Sequence, residues 1–205
     1  MALSGRIQIR TSAWALLFFA AMLFVLPLQW VIAMVVAAAV HEGFHAITIL
    51  LTGGKICSIS IGGRGVVLHT GPMTGMQEFL CAIAGPIGSF LLVLCARWLP
   101  RAAICGFVHG AFNLIPLFPL DGGRMLRGLL DCFLGANVAG RAFGWVQKGI
   151  VFIIILGCII LTFRVGILPL LLGILLLRRQ VRENPLAKKP FWRYNKGNID
   201  KGVPL

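Results

Sequence analysis

His41, Glu42 and His45 stand within five residues of one another inside an apolar run, and that placement constrains the fold more than any other feature. Residues 30–40 before them read Trp-Val-Ile-Ala-Met-Val-Val-Ala-Ala-Ala-Val, with no charged side chain. The run predicts a helix that enters a bilayer. On a helix, His41 and His45 lie one turn apart on one face, so both imidazoles can reach one metal ion. Glu42 projects about 100° further round, near enough to act on water at that metal. An acidic residue at the bilayer centre costs roughly 2.5–3.5 kcal/mol on the insertion scale. A bound cation offsets the burial of Glu42 and two imidazoles. The blander reading, a polar cluster bonding across helices, leaves three costly groups in five residues without one.

The rest of the chain supports a membrane setting. Its 205 residues are 59% apolar and only 12% charged, where soluble domains average about 25% charged; the mean hydropathy is +0.93. The expected fold class is an all-α polytopic membrane protein with about six transmembrane helices and a short interfacial β-hairpin. The apolar spans lie at about 13–28, 30–51, 77–98, 102–118, 145–163 and 165–177. The fourth contains Asn113, Pro116 and Pro119, so its helix must break. Broken backbone at membrane depth is tolerated where it lines a protein-enclosed or watery site.

In a soluble protein a net charge of +13 would point to nucleic acid. Here it reflects the excess of basic residues in cytoplasmic loops, and no nucleic-acid partner is expected. With the N-terminus inside, the cytoplasmic segments collect Arg6, Arg10, Lys55, Arg64, Arg124, Arg127, Arg141, Lys148 and the eight basic residues from Arg178 onward. The outer turns collect only Arg97, Arg101 and Arg164. This split predicts cytoplasmic termini and places His41–His45 in the cytoplasmic half of the second span. The first 29 residues are expected to be an uncleaved anchor and not a signal peptide, since the small-residue run Ala37-Ala38-Ala39 lies too far along.

Thr52-Gly53-Gly54 stops the second helix. Residues 58–61 then alternate polar and apolar, Gly62-Gly63-Arg64-Gly65 reads as a turn, and Val66-Val67-Leu68 as a return strand. The alternative is a plain connecting loop. A hairpin edge at 58–61 could hold an extended peptide by strand addition. Residues 1–178 form one expected domain. Residues 179–205 form a basic cytoplasmic tail that anchors at anionic lipid. The six cysteines form no Cys-x-x-Cys pair and are expected to be neither disulfide-bonded nor ligating. Gly85, Pro86 and Gly88 are expected to serve helix packing, Glu78 to be interfacial, and Asp131 to pair with Arg127 on a solvated helical face.

A catalytic zinc usually has three protein ligands and one open position. Beyond Glu42, the acidic residues in or beside spans are Glu78, Asp121 and Asp131. Asp121 closes the stretch Asn113-Leu114-Ile115-Pro116-Leu117-Phe118-Pro119-Leu120-Asp121-Gly122-Gly123. The proline break can turn it back, and Gly122 and Gly123 allow close backbone approach.

At this point the chain resembles the site-2 proteases, intramembrane zinc metalloproteases with His-Glu-x-x-His in one helix and Asn-x-x-Pro-x-x-x-Leu-Asp-Gly in a later one. Both motifs occur in order, at 41–45 and 113–122, and the resemblance covers roughly residues 13–178. It implies that His41, His45 and Asp121 bind Zn2+ and that Glu42 is the catalytic acid/base. Asn113 would contact the substrate or the developing oxyanion, and Pro116 would shape the break. The compact layout looks like the branch typified by the sporulation stage IV protease FB. That likeness implies a bacterial cell membrane and a membrane protein substrate, such as a pro-sigma factor, cut near the cytoplasmic face. The typical member's nucleotide-sensing CBS domain has no counterpart in the short tail. Asp121 could instead cap a helix, and Asn113 could bond a neighbouring helix backbone. His109, one turn before Asn113, is expected to pack beside the site and not to ligate. A catalytically inactive zinc-binding scaffold and a metal-ion transporter are the other classes considered. Oligomeric state is left open.

Overall fold

A computed structural model describes residues 8–11, 13–62 and 65–183. Gly63 and Arg64 of the expected turn lie outside these residues, as does the tail from 184. The chain divides into two compact units, Met1–Leu114 and Ile115–Leu205.

The first unit begins with strand β1 (Gln8–Thr11) and helices α1 (Ala13–Val25) and α2 (Leu28–Leu51). Pro27, lacking an N–H, separates the helices and stands at the N-cap of α2. Glycines end α2 as expected. Gly53 has φ +76°, its N–H donates to Leu50 O, and the Gly54 N–H donates to Ile49 O at 2.8 Å, the paired bonds of a Schellman turn.

Strands β2 (Ile56–Gly62) and β3 (Gly65–Thr70) follow and pair antiparallel. The hairpin is therefore present, but β2 is not its free edge. β1 pairs parallel with β2, Gln8 opposite Ser58 through Thr11 opposite Ile61, and the sheet order is β1-β2-β3. A parallel pair requires a long crossover, which α1 and α2 supply. The alternation at 58–61 was thus the mark of a central strand, and the position expected to receive a peptide is already paired on both sides. His69 bonds Ser60 Oγ through Nε2 at 2.9 Å across the hairpin.

Helix α3 (Gly75–Leu91) starts with a reciprocal capping box between Thr74 and Gln77. Gln77 Nε2 also donates to the carbonyl of Thr52 at 2.9 Å, tying this start to the end of α2. Pro86 sits within α3 without ending it. A 3-10 turn, Leu92–Cys95, leads to α4 (Pro100–Asn113), which begins on proline. Ala33 and Ala37 of α2 pack with Leu92 and Ala102 in a core of mostly small residues, which brings the helix backbones close together. Half of the apolar window of α3 is buried, against 22% for α2, so α3 is the inner helix. Glu78, in its first turn, is 5% exposed. It stands at the start of the helix, on the face of α3 that packs inward.

The second unit holds a 45-residue helical stretch, α5 (Asp121–Val165), and α6 (Leu168–Glu183). α5 is two helices joined at Gly135, whose φ of +71° only glycine adopts readily. Across this kink Arg127 packs on Phe143, 6.0 Å from the ring centroid. Its Nε donates to Asp131 Oδ2 at 3.1 Å. Arg127 is 8% exposed and the Asp131 side chain 21%, so the expected solvated face is a part-buried ion pair. The spacing was right, but the fold-back at Gly135 was not visible in it. α6 continues past 178, the boundary expected for the tail. A helix lies at each of the six expected spans. Three apolar stretches, Leu28–Leu51, Gly75–Cys95 and Val138–Val165, are long enough to cross a membrane; α1, α4 and α6 have 13, 14 and 16 residues.

Candidate metal centre

Along α2, Ala37, His41, His45 and Ile49 recur at four-residue intervals and are all buried, the stripe of a helix face turned inward. His41 is 2% and His45 4% exposed. The facing stripe of α3 carries Cys81, Gly85 and Ser89, also buried.

α3 holds both imidazoles by Nδ1. His45 Nδ1 lies 2.7 Å from the carbonyl oxygen of Cys81. A carbonyl only accepts, so Nδ1 carries the proton and Nε2 of the neutral ring presents a lone pair. His41 Nδ1 lies 2.8 Å from Ser89 Oγ. The two Nε2 atoms face each other at 3.2 Å. Two nitrogens bound to one tetrahedral zinc at its usual bond length are about 3.3 Å apart, so the pair has the spacing of ligands to a single ion. A Cβ at position 85 would lie 2.7 Å from His41 Nε2 and closer still to His45 Nε2. The two imidazole edges can approach α3 this closely because position 85 is glycine. These residues fit zinc.

His109 of α4 packs edge-on against His41, with ring centroids 4.5 Å apart at 77°, in keeping with the supporting role expected. Asn113 Nδ2 donates to the carbonyl of His109 at 3.0 Å. Asn113 therefore bonds its own helix, where it is the last residue of α4. Glu42, one position from His41, is half-buried.

In the second unit, Asp121 is the first residue of α5 and is 6% exposed. The N-cap is Leu120, so the capping alternative does not describe Asp121. Its carboxylate lies in the first turn, where the helix dipole favours negative charge, and Arg124 Nη1 is 3.5 Å from Oδ1. The segment before it turns tightly: the Leu117 N–H donates to Ile115 O at 2.7 Å and the Leu120 N–H to Leu117 O at 2.8 Å. A Cβ on Gly123 would fall 2.6 Å from Leu117 C and Phe118 N. The close approach expected of these glycines is therefore real at Gly123.

Sequence reasoning missed Ser89 and gave Gly85 only a packing role. The available signal was the four-residue spacing of Gly85 and Ser89, which puts both on one face of the third span. The Cys81 contact uses backbone and carries no side-chain signature.

Residues 95–157 match the model of Peptidase family M50. The chain is 30% identical over 152 residues to a putative zinc metalloprotease, sll0528, of Synechocystis, covering 59% of this chain and 40% of that protein. It is 28% identical over 139 residues to the zinc metalloprotease MJ0392 of Methanocaldococcus jannaschii, covering 61% and 41%. The chain thus spans about two fifths of the length of these curated relatives. Its fold is similar to the solved site-2 protease from Methanocaldococcus jannaschii, with a TM-score of 0.60 and 24% identity over 85% of this chain and 88% of that one. These matches are to the same kind of protein that the chain's two motifs resemble.

Proposed function

We propose that the protein is an intramembrane zinc endopeptidase, with His41, His45 and Asp121 as the metal ligands and Glu42 as the catalytic acid/base. The observation that carries the reading is the facing Nε2 pair at 3.2 Å, with both Nδ1 atoms held by α3. All three donors are buried and each offers one ligand atom. Zinc, when bound, polarises a carbonyl and makes water nucleophilic near neutral pH.

The chain's own groups supply the rest. Glu42 accepts the proton of the attacking water and returns it to the leaving amine. The Asn113 amide contacts the substrate or stabilises the developing oxyanion. A helical peptide hides its carbonyls in hydrogen bonds, so the substrate segment must unwind and bind extended. The far edge of β3 is the place for it, since among the described residues no strand pairs there. The substrate is a membrane-embedded or membrane-associated protein cut near the cytoplasmic face; a pro-sigma factor is the kind the resemblance favours. The basic-residue split supports cytoplasmic termini in a bacterial membrane.

Metal analysis of the purified protein tests the ligand set. One zinc per chain is expected, lost in the His41→Ala, His45→Ala double variant. Wild-type zinc in that variant would refute the assignment. A Glu42→Gln variant used as a trap, with co-purified proteins identified by mass spectrometry, would name the substrate.

A further inference from the structure

The two histidines are held differently. The Nδ1 partner of His45 is a backbone carbonyl, which fixes that ring in one tautomer. The partner of His41 is the Ser89 hydroxyl, which can donate or accept. Ser89 is 0% exposed, so water cannot readily take its place. Its surroundings are tight. A Cβ on Gly110 would lie 2.9 Å from Ser89 Cβ, and one on Gly106 would lie 2.9 Å from Ser89 O. α4 thus presses against this residue through two glycines.

We propose that the Ser89 hydroxyl is the positioning group that holds His41 as an Nε2 metal ligand. This rests on the zinc reading above. Without metal, the His45 Nε2 lone pair accepts a proton-bearing Nε2 of His41 across 3.2 Å, and the Ser89 O–H donates to His41 Nδ1. With metal, both Nε2 atoms must present lone pairs. The His41 ring proton then resides on Nδ1 and is donated to Ser89 Oγ, at the same 2.8 Å. No proton is gained or lost overall. One hydroxyl satisfies both states; a group that only donates or only accepts satisfies one. Cys81 O needs no such freedom, because His45 keeps the same tautomer throughout.

Zinc affinity of the full-length purified chain, measured by competition with a chelator, tests this. Ser89→Ala removes the hydroxyl and little volume. Ser89→Thr and Ser89→Val are a second pair matched in shape, one with the hydroxyl and one without. Loss of the hydroxyl is expected to weaken zinc about 10- to 100-fold, the range for outer partners of metal-binding histidines. Ser89→Thr should bind zinc more tightly than Ser89→Val; the hydroxyl-free variants also lose a buried hydrogen bond in the metal-free chain, so the zinc comparison is made on protein shown to be folded. A merely structural role would shift stability and leave the hydroxyl comparison flat. Equal zinc affinity of Ser89→Ala and wild type, with Thr equal to Val, would overturn the proposal while leaving the ligand assignment intact. Failure of the ligand assignment itself shows separately, as undiminished zinc in the His41→Ala, His45→Ala variant.

Discussion

His41 and His45 turn their Nε2 atoms toward each other at 3.2 Å, with Gly85 of the facing helix directly before both. Without a metal ion the pair is joined by one imidazole–imidazole hydrogen bond. A cation between the two Nε2 atoms would take the place of that bond, and the imidazole edges lie directly against Gly85.

Gly85→Ala is therefore expected to abolish zinc binding. The added methyl would meet His41 Nε2 at 2.7 Å and His45 Nε2 more closely, in a region where neither helix can move freely. Overpacking of this kind costs about 1–3 kcal/mol, so the metal-free protein should remain folded. Circular dichroism and metal analysis of the purified variant would check both parts. Full zinc occupancy in Gly85→Ala would mean that the helices yield and that position 85 serves packing only.

The part-buried Arg127–Asp131 pair should matter more than a surface pair. Removing one partner of a fully buried ion pair costs roughly 3–5 kcal/mol and exposed pairs are worth about 0–1 kcal/mol, so the cost here should fall between the two. Arg127→Ala should lower the melting temperature in detergent markedly. Arg127→Met combined with Asp131→Leu should recover part of the loss by replacing both charges together. An Arg127→Ala variant as stable as wild type would show that the pair is solvated after all.

Substrate pairing should depend on β3. In an antiparallel sheet adjacent residues point their N–H groups to opposite edges, so one of Val67 and Leu68 directs its N–H outward. Proline at that position removes one ladder donor and should impair cleavage in a folded protein. Proline at the other disturbs pairing with β2 and should reduce stability. Cleavage unaffected by proline at both positions, in stable variants, would reduce the hairpin to a connector.

Much of the fold was legible because each cue was local. The apolar runs, Pro27, the glycines after α2 and the break after Asn113 all act on their own stretch of chain, and each element appears where its cue lies. What was missed depends on residues distant in sequence. β1 joins β2 across two helices, so the free strand edge could not be read from the alternation at 58–61. Arg127 looked exposed because charge predicts exposure, and only the fold-back at Gly135 buries it. Of the residues proposed for the site, His41, Glu42, His45, Asn113 and Asp121 stood out through motif spacing. Ser89 did not, because one serine in an apolar span is ordinary until the imidazole opposite it is known.

The central claim is that this chain hydrolyses peptide bonds with Glu42 as the proton-transfer group. Its most direct test uses purified, zinc-replete wild type and Glu42→Gln protein, each incubated with membrane vesicles from cells lacking this protein. New protein N-termini are then mapped by mass spectrometry. Gln keeps the shape of the side chain but cannot take the proton, so new termini should appear with wild type and fall by at least ~10²-fold with Glu42→Gln, at equal zinc content. Equal cleavage by the two proteins would contradict the account.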